Sequence, residues 1–127
     1  GVETHFAVVT NSGVIGQVIH AGHTTSKVLL TIDSRSAVDS IFQESRVSGV
    51  VVGTGEEHCI VKFVPNTADI KVGDRVLSSG LGGIFPKGLI VGTVSQVVKK
   101  KQGLFQEILL TPSSDLSRLE EVLVFLS

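Results

Sequence analysis

Short apolar runs alternate with turn residues along the whole chain, and their spacing predicts the elements of the fold. The runs are rich in Val and Ile, and several alternate apolar with polar positions, as in "AVDSIFQ". A period of two residues is that of a β-strand with one buried face. The pattern predicts about ten strands, at residues 6–10, 14–21, 27–32, 37–43, 47–53, 58–64, 72–79, 89–98, 104–112 and 122–126.

Composition strengthens the prediction of strands. The chain has 21 Val and 9 Ile against 4 Ala, and β-branched side chains pack well on a pleated sheet. Its 14 Gly residues fit many tight turns. Only "SSDLSRLEEV" predicts a helix, a short one at residues 114–120 with Ser113 or Ser114 as its N-cap. The fold class predicted from the sequence is therefore all-β.

Two strands echo one another and suggest how the sheet is divided. The segments "GVIGQVI" at 13–19 and "GLIVGTV" at 88–94 each begin with a glycine and contain another. Glycine inside a strand marks a bulge or a close backbone approach, as at the corners of small barrels. We therefore predict two small β-barrels packed together. If the echo strands pair, residues 2–32 and 82–127 form the first barrel, and residues 33–81 form the second as an insertion.

The charge balance argues against nucleic acid as a partner. The formal net charge is −1 and the isoelectric point is about 6.5, whereas phosphate binding requires a basic face. The one basic run, the three lysines at 99–101, falls in a predicted hairpin turn. Without Trp or Tyr there is also little on which bases could stack. No apolar run reaches the ~18–20 residues of a membrane-spanning helix.

The segment "SSGLGGIFPKG" has three interpretations. In a serine hydrolase, Ser78 or Ser79 would be the nucleophile. His20 or His23 would be the base and Asp33 its partner, in the chain order of chymotrypsin-type proteases, but no G-x-S-x-G elbow is present. A phosphate cradle needs a helix N-terminus, whereas a Val-rich strand follows these glycines. The third interpretation is a sharp backbone turn.

No arrangement of His, Cys, Asp or Glu in the sequence is typical of a metal site or of acid–base catalysis. Two histidines three positions apart would need a third ligand, and the other candidate ligands are scattered. Adjacent acidic residues point to opposite faces of a strand, which makes them ordinary solvated charges. We therefore predict no catalytic residue, no metal site and no cofactor. The residues weighed for these roles are His20, His23, His58, Cys59, Asp33, Glu56, Glu57, Glu120 and Glu121.

The turn interpretation predicts where the side chains of this loop point. The glycines of "GLGG" can adopt positive φ, and Pro86 biases Phe85 toward an extended conformation. We expect Phe85 to lie inside the barrel, because large aromatic side chains dominate small cores. Apolar loop residues that stay exposed would instead serve a partner. The candidate partner or self-association surface comprises Gly80, Leu81, Gly82, Gly83, Ile84, Phe85 and Pro86.

Longer blocks of the chain resemble one known family. They are "AVVTNSGVIGQV", "KVLLTIDSRSAV", "VPNTADIKVGDRVLSSGLGGIFPKGLIVGTV" and "DLSRLEEVLVFL". Together they are similar to the β-rich extracytoplasmic domain of the MreC family of rod shape-determining proteins. The most specific block covers residues 69–93, with the signature "SGLGG-x-FP-x-G-x-x-VG". The resemblance extends over nearly the whole chain.

The resemblance implies a fold, a function and a location. The fold would be two small barrels distantly like those of chymotrypsin, without its triad. The function would be that of a non-catalytic scaffold that maintains rod shape by binding and positioning peptidoglycan synthesis enzymes. The alternative from the residues is a degenerate or cryptic trypsin-like serine hydrolase domain.

The same resemblance implies partners for the chain. They would be the elongation-specific penicillin-binding protein (a transpeptidase), other membrane elongation proteins and, in the full-length protein, further copies of itself. The domain would be extracytoplasmic, on the periplasmic side, and anchored to the inner membrane by a helix upstream of the present chain. The family offers no catalytic residue to carry over.

Overall fold

The strands of the structure lie where the apolar pattern predicts them. The computed structural model describes residues 7–10, 12–21, 26–113 and 123–124. Within these ranges no helix is long and apolar enough to cross a membrane, and the helix predicted at 114–120 lies outside them. The strands are β1 (Ala7–Thr10), β2 (Gly13–Ala21), β3 (Ser26–Leu30), β4 (Ala37–Phe42), β5 (Ser48–Gly53), β6 (Cys59–Pro65), β7 (Arg75–Ser78), β8 (Ile90–Val98), β9 (Phe105–Pro112) and β10 (Leu123–Val124).

Strands β4 to β9 form a closed antiparallel barrel in the order β4-β5-β6-β9-β8-β7. The barrel closes where β4 pairs with β7, with Phe42 opposite Val76. The other described strands form a four-stranded sheet in the order β10-β1-β2-β3. Closure is favourable because it removes open edges on which another chain could pair. The predicted all-β fold is confirmed.

The four-stranded sheet and the closed barrel divide the strands by their position in the chain. Strands β1, β2, β3 and β10 share a sheet, but β8 and β9 belong to the closed barrel. The echo strands β2 and β8 are not hydrogen-bonded neighbours among the described strands. The pairing from which the division into residues 2–32 with 82–127 and residues 33–81 was inferred is therefore not observed. Antiparallel strands joined by short loops pair most readily with their neighbours in the chain, as β7, β8 and β9 do here. A division of the chain into independently folding domains stays a prediction.

Alternation along the strands fills the barrel with branched side chains. In β4 the buried positions are Val38, Ser40 and Phe42, and the side chains between them face outward. The buried Ser40 hydroxyl donates to the Val38 carbonyl at 2.8 Å, so it keeps a hydrogen-bond partner away from water. The core is built mainly from Val38, Val51, Val61, Val64, Val76, Val91, Val94, Ile70 and Ile108, with Phe42, Phe85 and Leu110.

The segment between β3 and β4 crosses the end of β5, and a glycine marks the crossing. The Gly55 amide donates to the Ile32 carbonyl at 2.7 Å, and the Gly53 amide donates to the Ser36 carbonyl at 3.2 Å. A Cβ on Gly53 would stand 2.1 Å from the carbonyl oxygen of Asp33. Backbone therefore meets backbone here, and only glycine fits.

Candidate functional site

The loop between β7 and β8 has the backbone that its glycines predict. Gly80, Gly82, Gly83 and Gly88 have φ values of 83°, 81°, 76° and 90°. These lie in the left-handed region, which a Cβ disfavours. The glycines of the signature are therefore required by the shape of the loop, and the turn interpretation is confirmed.

The loop divides the seven residues of the predicted partner surface into two groups. Phe85 is only 6% exposed and belongs to the core cluster, as expected, while Ile84 packs against that cluster half-buried. Leu81 is 67% exposed, and Pro86 is also exposed. The loop thus places one large side chain inside the barrel and presents another, Leu81, to solvent.

Ser78 ties the two ends of this loop together. It is fully buried, and its hydroxyl donates to the Pro86 carbonyl while accepting from the Leu89 amide at 2.9 Å. The Gly88 amide donates to the carbonyl of Ser78 at 2.8 Å. The neighbouring Ser79 accepts from the Leu81 amide at 3.3 Å. Both serines of the hydrolase hypothesis therefore hold the turn, and the geometry does not favour that hypothesis.

The other members of the hypothetical triad are not brought to these serines in the described part of the chain. His20 lies in β2, but its side chain is outside the described residues, as is all of His23. Asp33 accepts from the Arg35 side chain at 2.9 and 3.0 Å and from its amide at 2.8 Å. These bonds favour the carboxylate and lower the pKa of Asp33 to about 2. Asp33 is thus occupied by a local turn.

The candidate metal ligands that the structure describes do not lie close to one another. Within the described residues, no three or more His, Cys, Asp or Glu side chains lie close enough to hold a metal ion. Cys59 is buried, and its thiol donates to the Thr31 carbonyl at 3.4 Å. Nδ1 of His58 instead faces the Glu56 carboxylate at 3.9 Å. Each group has a local structural environment of its own.

We expect the Cys59 thiol to be inert in the folded protein. Burial raises its pKa to about 11, because desolvation disfavours the thiolate that reacts. A disulfide reagent at pH 8 should label Cys59 only when denaturant is added, as followed by absorbance. Since the folded pKa lies above the unfolded value, this group contributes stability below pH 9 that is lost as the pH rises toward 11. Rapid labelling of the folded protein would contradict this.

Gly82 allows a direct test of the glycine turn. Its φ is 81°, and a Cβ there would stand 3.0 Å from Oδ2 of Asp39. Gly82→Val should lower the free energy of unfolding by about 1–3 kcal/mol, because a β-branched residue is strained at positive φ. Gly82→Asn is the control and should cost less, since Asn tolerates this region. Thermal melts followed by circular dichroism measure both, and a Gly82→Val protein as stable as the parent would refute the explanation.

The sequence pattern does not predict the exposed aromatic pair formed by Phe63 and Phe105. The rings of Phe63 and Phe105 pack edge to face, with centroids 5.7 Å apart, yet they are 57% and 43% exposed. The alternation in "HCIVKFV" places Phe63 on the same face as Val61, which is inside the barrel. A bulge between Val61 and Val64 shifts the register of β6 against β9. No feature of the local sequence marks this bulge.

The fold and the loop together define a class of protein: a β-barrel domain with a structural glycine turn and an exposed apolar face. The sequence profile described as "Rod shape-determining protein MreC, barrel core" matches residues 1–126. The chain belongs to the MreC family, as its signature blocks predicted.

Comparison with individual proteins agrees with this assignment. The chain is 34% identical to the cell shape-determining protein MreC of Escherichia coli (strain K12) over 98% of its own length, but it spans only 34% of that relative. It superposes on the crystal structure of MreC from Pseudomonas aeruginosa with a TM-score of 0.95 and 34% identity, covering 99% of this chain and 82% of that one.

A third similar structure contains a partner. It is the complex between a penicillin-binding protein (PBP2) and MreC from Helicobacter pylori. The TM-score is 0.78 at 25% identity, and the match covers 94% of this chain and 75% of that one.

Proposed function

We propose that this chain is a non-catalytic scaffold domain of the bacterial cell-elongation machinery. Its role is to bind and position peptidoglycan synthesis enzymes, first of all the elongation-specific penicillin-binding protein. The observation that carries the proposal is the similarity of the barrel to the Helicobacter pylori MreC that forms a complex with PBP2. The match of residues 1–126 to the family's barrel core supports it.

The proposal includes a location and further partners. The domain acts on the periplasmic side of the inner membrane, held there by a membrane helix of the full-length protein. Other membrane proteins of the elongation machinery and further copies of the full-length protein are its additional partners. Membership of the MreC family supports these assignments.

A binding measurement tests the scaffold function. The protein should bind the extracytoplasmic region of the elongation penicillin-binding protein from the same bacterium, immobilised for biolayer interferometry. A penicillin-binding protein of the division machinery is the matched control and should bind more weakly. Absence of binding to both at high micromolar concentrations would contradict the proposal.

The proposal also specifies that the domain has no hydrolase activity. The hydrogen bonds of Ser78 and the pairing of Asp33 with Arg35 support this. A fluorophosphonate probe should leave the folded protein unlabelled. Labelling that disappears in Ser79→Ala would instead favour the serine hydrolase alternative.

A further inference from the structure

We propose that the protein docks an acidic and apolar segment of its penicillin-binding protein partner on one face of the barrel. This face, called the aromatic face below, consists of Phe63, Phe105 and Leu81 with Lys62 and Lys100 at its border. The identity of the partner rests on the proposed function. The chemistry of the docked segment follows from the surface itself.

The bulge in β6 exists at the expense of regular pairing and turns an aromatic ring outward. Val61 and Val64 are both fully buried, while Lys62 and Phe63 between them are both exposed. In a regular strand Phe63 would follow Val61 to the inside. The extra residue keeps both valines in the core and redirects Phe63 to solvent, which is what bulges near functional sites commonly do.

The backbone of Phe63 is strained as a result. Its φ is 64°, and among the described residues only Arg46, at 63°, is another non-glycine with positive φ. Arg46 lies in the connection between β4 and β5, where such a conformation is common. Phe63 instead lies within a strand, and an aromatic residue is unusual there. Strain of this kind persists where the side chain has a use.

Phe63 is the ridge between two grooves. One groove, of about 250 Å³, lies between Phe63 and Phe105 and is lined also by Lys62, Lys100 and Gln106. The other, of about 160 Å³, lies on the opposite side of Phe63 and is lined by Val50, Ser79 and Leu81. Two pockets on either side of a ridge suit alternate side chains of an extended segment.

Hydrogen bonds fix the groove beside Phe105 before any partner arrives. The side-chain nitrogen of Asn66 donates to the Lys100 carbonyl at 2.7 Å, and the backbone N–H of Asn66 donates to the Leu104 carbonyl at 2.8 Å. Gln106 is buried, and its amide nitrogen donates to the carbonyls of Pro65 and Ala68 at 2.9 and 2.8 Å. These bonds attach the β8–β9 hairpin to the end of β6. A preorganised surface loses little conformational entropy on binding.

Charge on the aromatic face is concentrated beside the β8–β9 hairpin. Lys62 and Lys100 line the groove there with a single carboxylate, Glu107, and Lys99 and Lys101 flank Lys100 in the hairpin turn. In the part of the chain that the structure describes, none of these four lysines forms an ion pair. Acidic side chains of the docked segment would therefore be attracted to this end.

The end of the aromatic face near Leu81 is mainly apolar, and its one charged residue is acidic. Leu81 stands beside the second groove, whose one charged lining residue is Asp39. The docked segment therefore has a direction: its acidic residues lie over Lys62 and Lys100, and its apolar residues lie over Leu81. The signature loop contributes through Leu81, and its glycines and Phe85 set the shape beneath it.

The charges also argue against a second copy of this chain as the occupant. In a two-fold symmetric contact the lysine end of one aromatic face meets the Leu81 end of the other. Asp39 is the one charged lining residue at that end, so a second copy would neutralise little of the charge of four lysines. A lipid surface would not require two separate grooves. A protein segment fits both features.

Removing the ring of Phe63 without disturbing its backbone tests the proposal. Phe63→Asn suits this purpose because Asn tolerates positive φ. We expect its affinity for the penicillin-binding protein to fall at least about tenfold, as at an aromatic hot spot. Val72→Asn is the matched control, since Val72 is 66% exposed and lines neither groove. It should bind like the parent, with melting temperatures of both variants close to that of the parent.

Charge reversal tests whether acidic residues of the docked segment lie over Lys62 and Lys100. The double variant Lys62→Glu/Lys100→Glu should weaken binding at least about tenfold and reduce its salt dependence. Lys71→Glu/Lys87→Glu is the matched control, because these lysines line neither groove.

If Phe63→Asn fails to fold, Leu81→Ser and Phe105→Ser test the same face singly. Size-exclusion chromatography with light scattering, and flotation with anionic vesicles, follow self-association and lipid binding in parallel.

The outcomes separate this inference from the proposed function. Wild-type protein that does not bind the penicillin-binding protein would overturn the proposed function, and the inference with it. Wild-type binding that all these variants leave unchanged would overturn the inference alone. Loss of self-association or of vesicle binding, with partner binding intact, would assign the face to a second copy or to lipid and also overturn the inference.

Discussion

Phe85→Ala is expected to lower the free energy of unfolding by about 3–5 kcal/mol, the usual cost of removing a buried aromatic ring from a core. Phe85 is 6% exposed and packs into the barrel's core cluster. The loss is a large share of the ~5–15 kcal/mol that stabilises a typical domain. The measurement is urea denaturation followed by far-UV circular dichroism, because the chain has no Trp or Tyr for fluorescence.

Leu81→Ala in the same loop is the control for Phe85. Leu81 is 67% exposed, so its truncation should change the free energy of unfolding by no more than about 0.5 kcal/mol. The pair separates the loop's structural side chain from the one that it displays. A Phe85→Ala protein as stable as the parent but weak in partner binding would show that the ring faces the partner.

Gly53→Ala should lower the free energy of unfolding by about 3 kcal/mol or more, because overpacking against backbone finds no side chain that can move aside. The added Cβ would stand 2.1 Å from the Asp33 carbonyl oxygen and 2.4 Å from the carbonyl carbon of Ile32. Relief would require displacement of the segment that joins β3 to β4. Thermal and urea denaturation of the variant give the measurement.

Gly55→Ala is the matched control two residues away. Gly55 has a φ of 85°, and a Cβ there would meet nothing within 4 Å. It should cost about 1–2 kcal/mol, the price of an L-residue in the left-handed region. Equal effects of the two substitutions would show that close approach is not what requires Gly53.

Local sequence determined the strands and the signature loop. Alternating apolar positions and β-branched residues predicted the ten strands within about three residues of their observed bounds, because period and propensity are properties of each segment alone. The glycines predicted positive φ for the same reason, since the Cβ clash is local. The inward position of Phe85 followed from Pro86 beside it and from the scarcity of aromatic residues for the core.

Only the tertiary structure decided which strands are neighbours. The echo of "GVIGQVI" and "GLIVGTV" suggested that β2 and β8 pair, whereas β8 joins β7 and β9 in the closed barrel. Both strands have the same apolar period, and that period does not name a partner. Pairing is decided by loop length and by closure of the barrel, which involve residues far apart in the chain.

The position of Phe63 on the aromatic face was likewise not predictable from the local sequence. Its alternation with Val61 predicts a buried ring, and the bulge reverses that by placing Lys62 and Phe63 opposite a single residue of β9. The bulge depends on how β6 and β9 pair, and these strands are separated in the chain by β7 and β8. The sequence by itself determined which segments are strands and how the loop turns. The exposed aromatic face arises only from the register of two distant strands, because a shift of one residue exchanges the two faces of a strand.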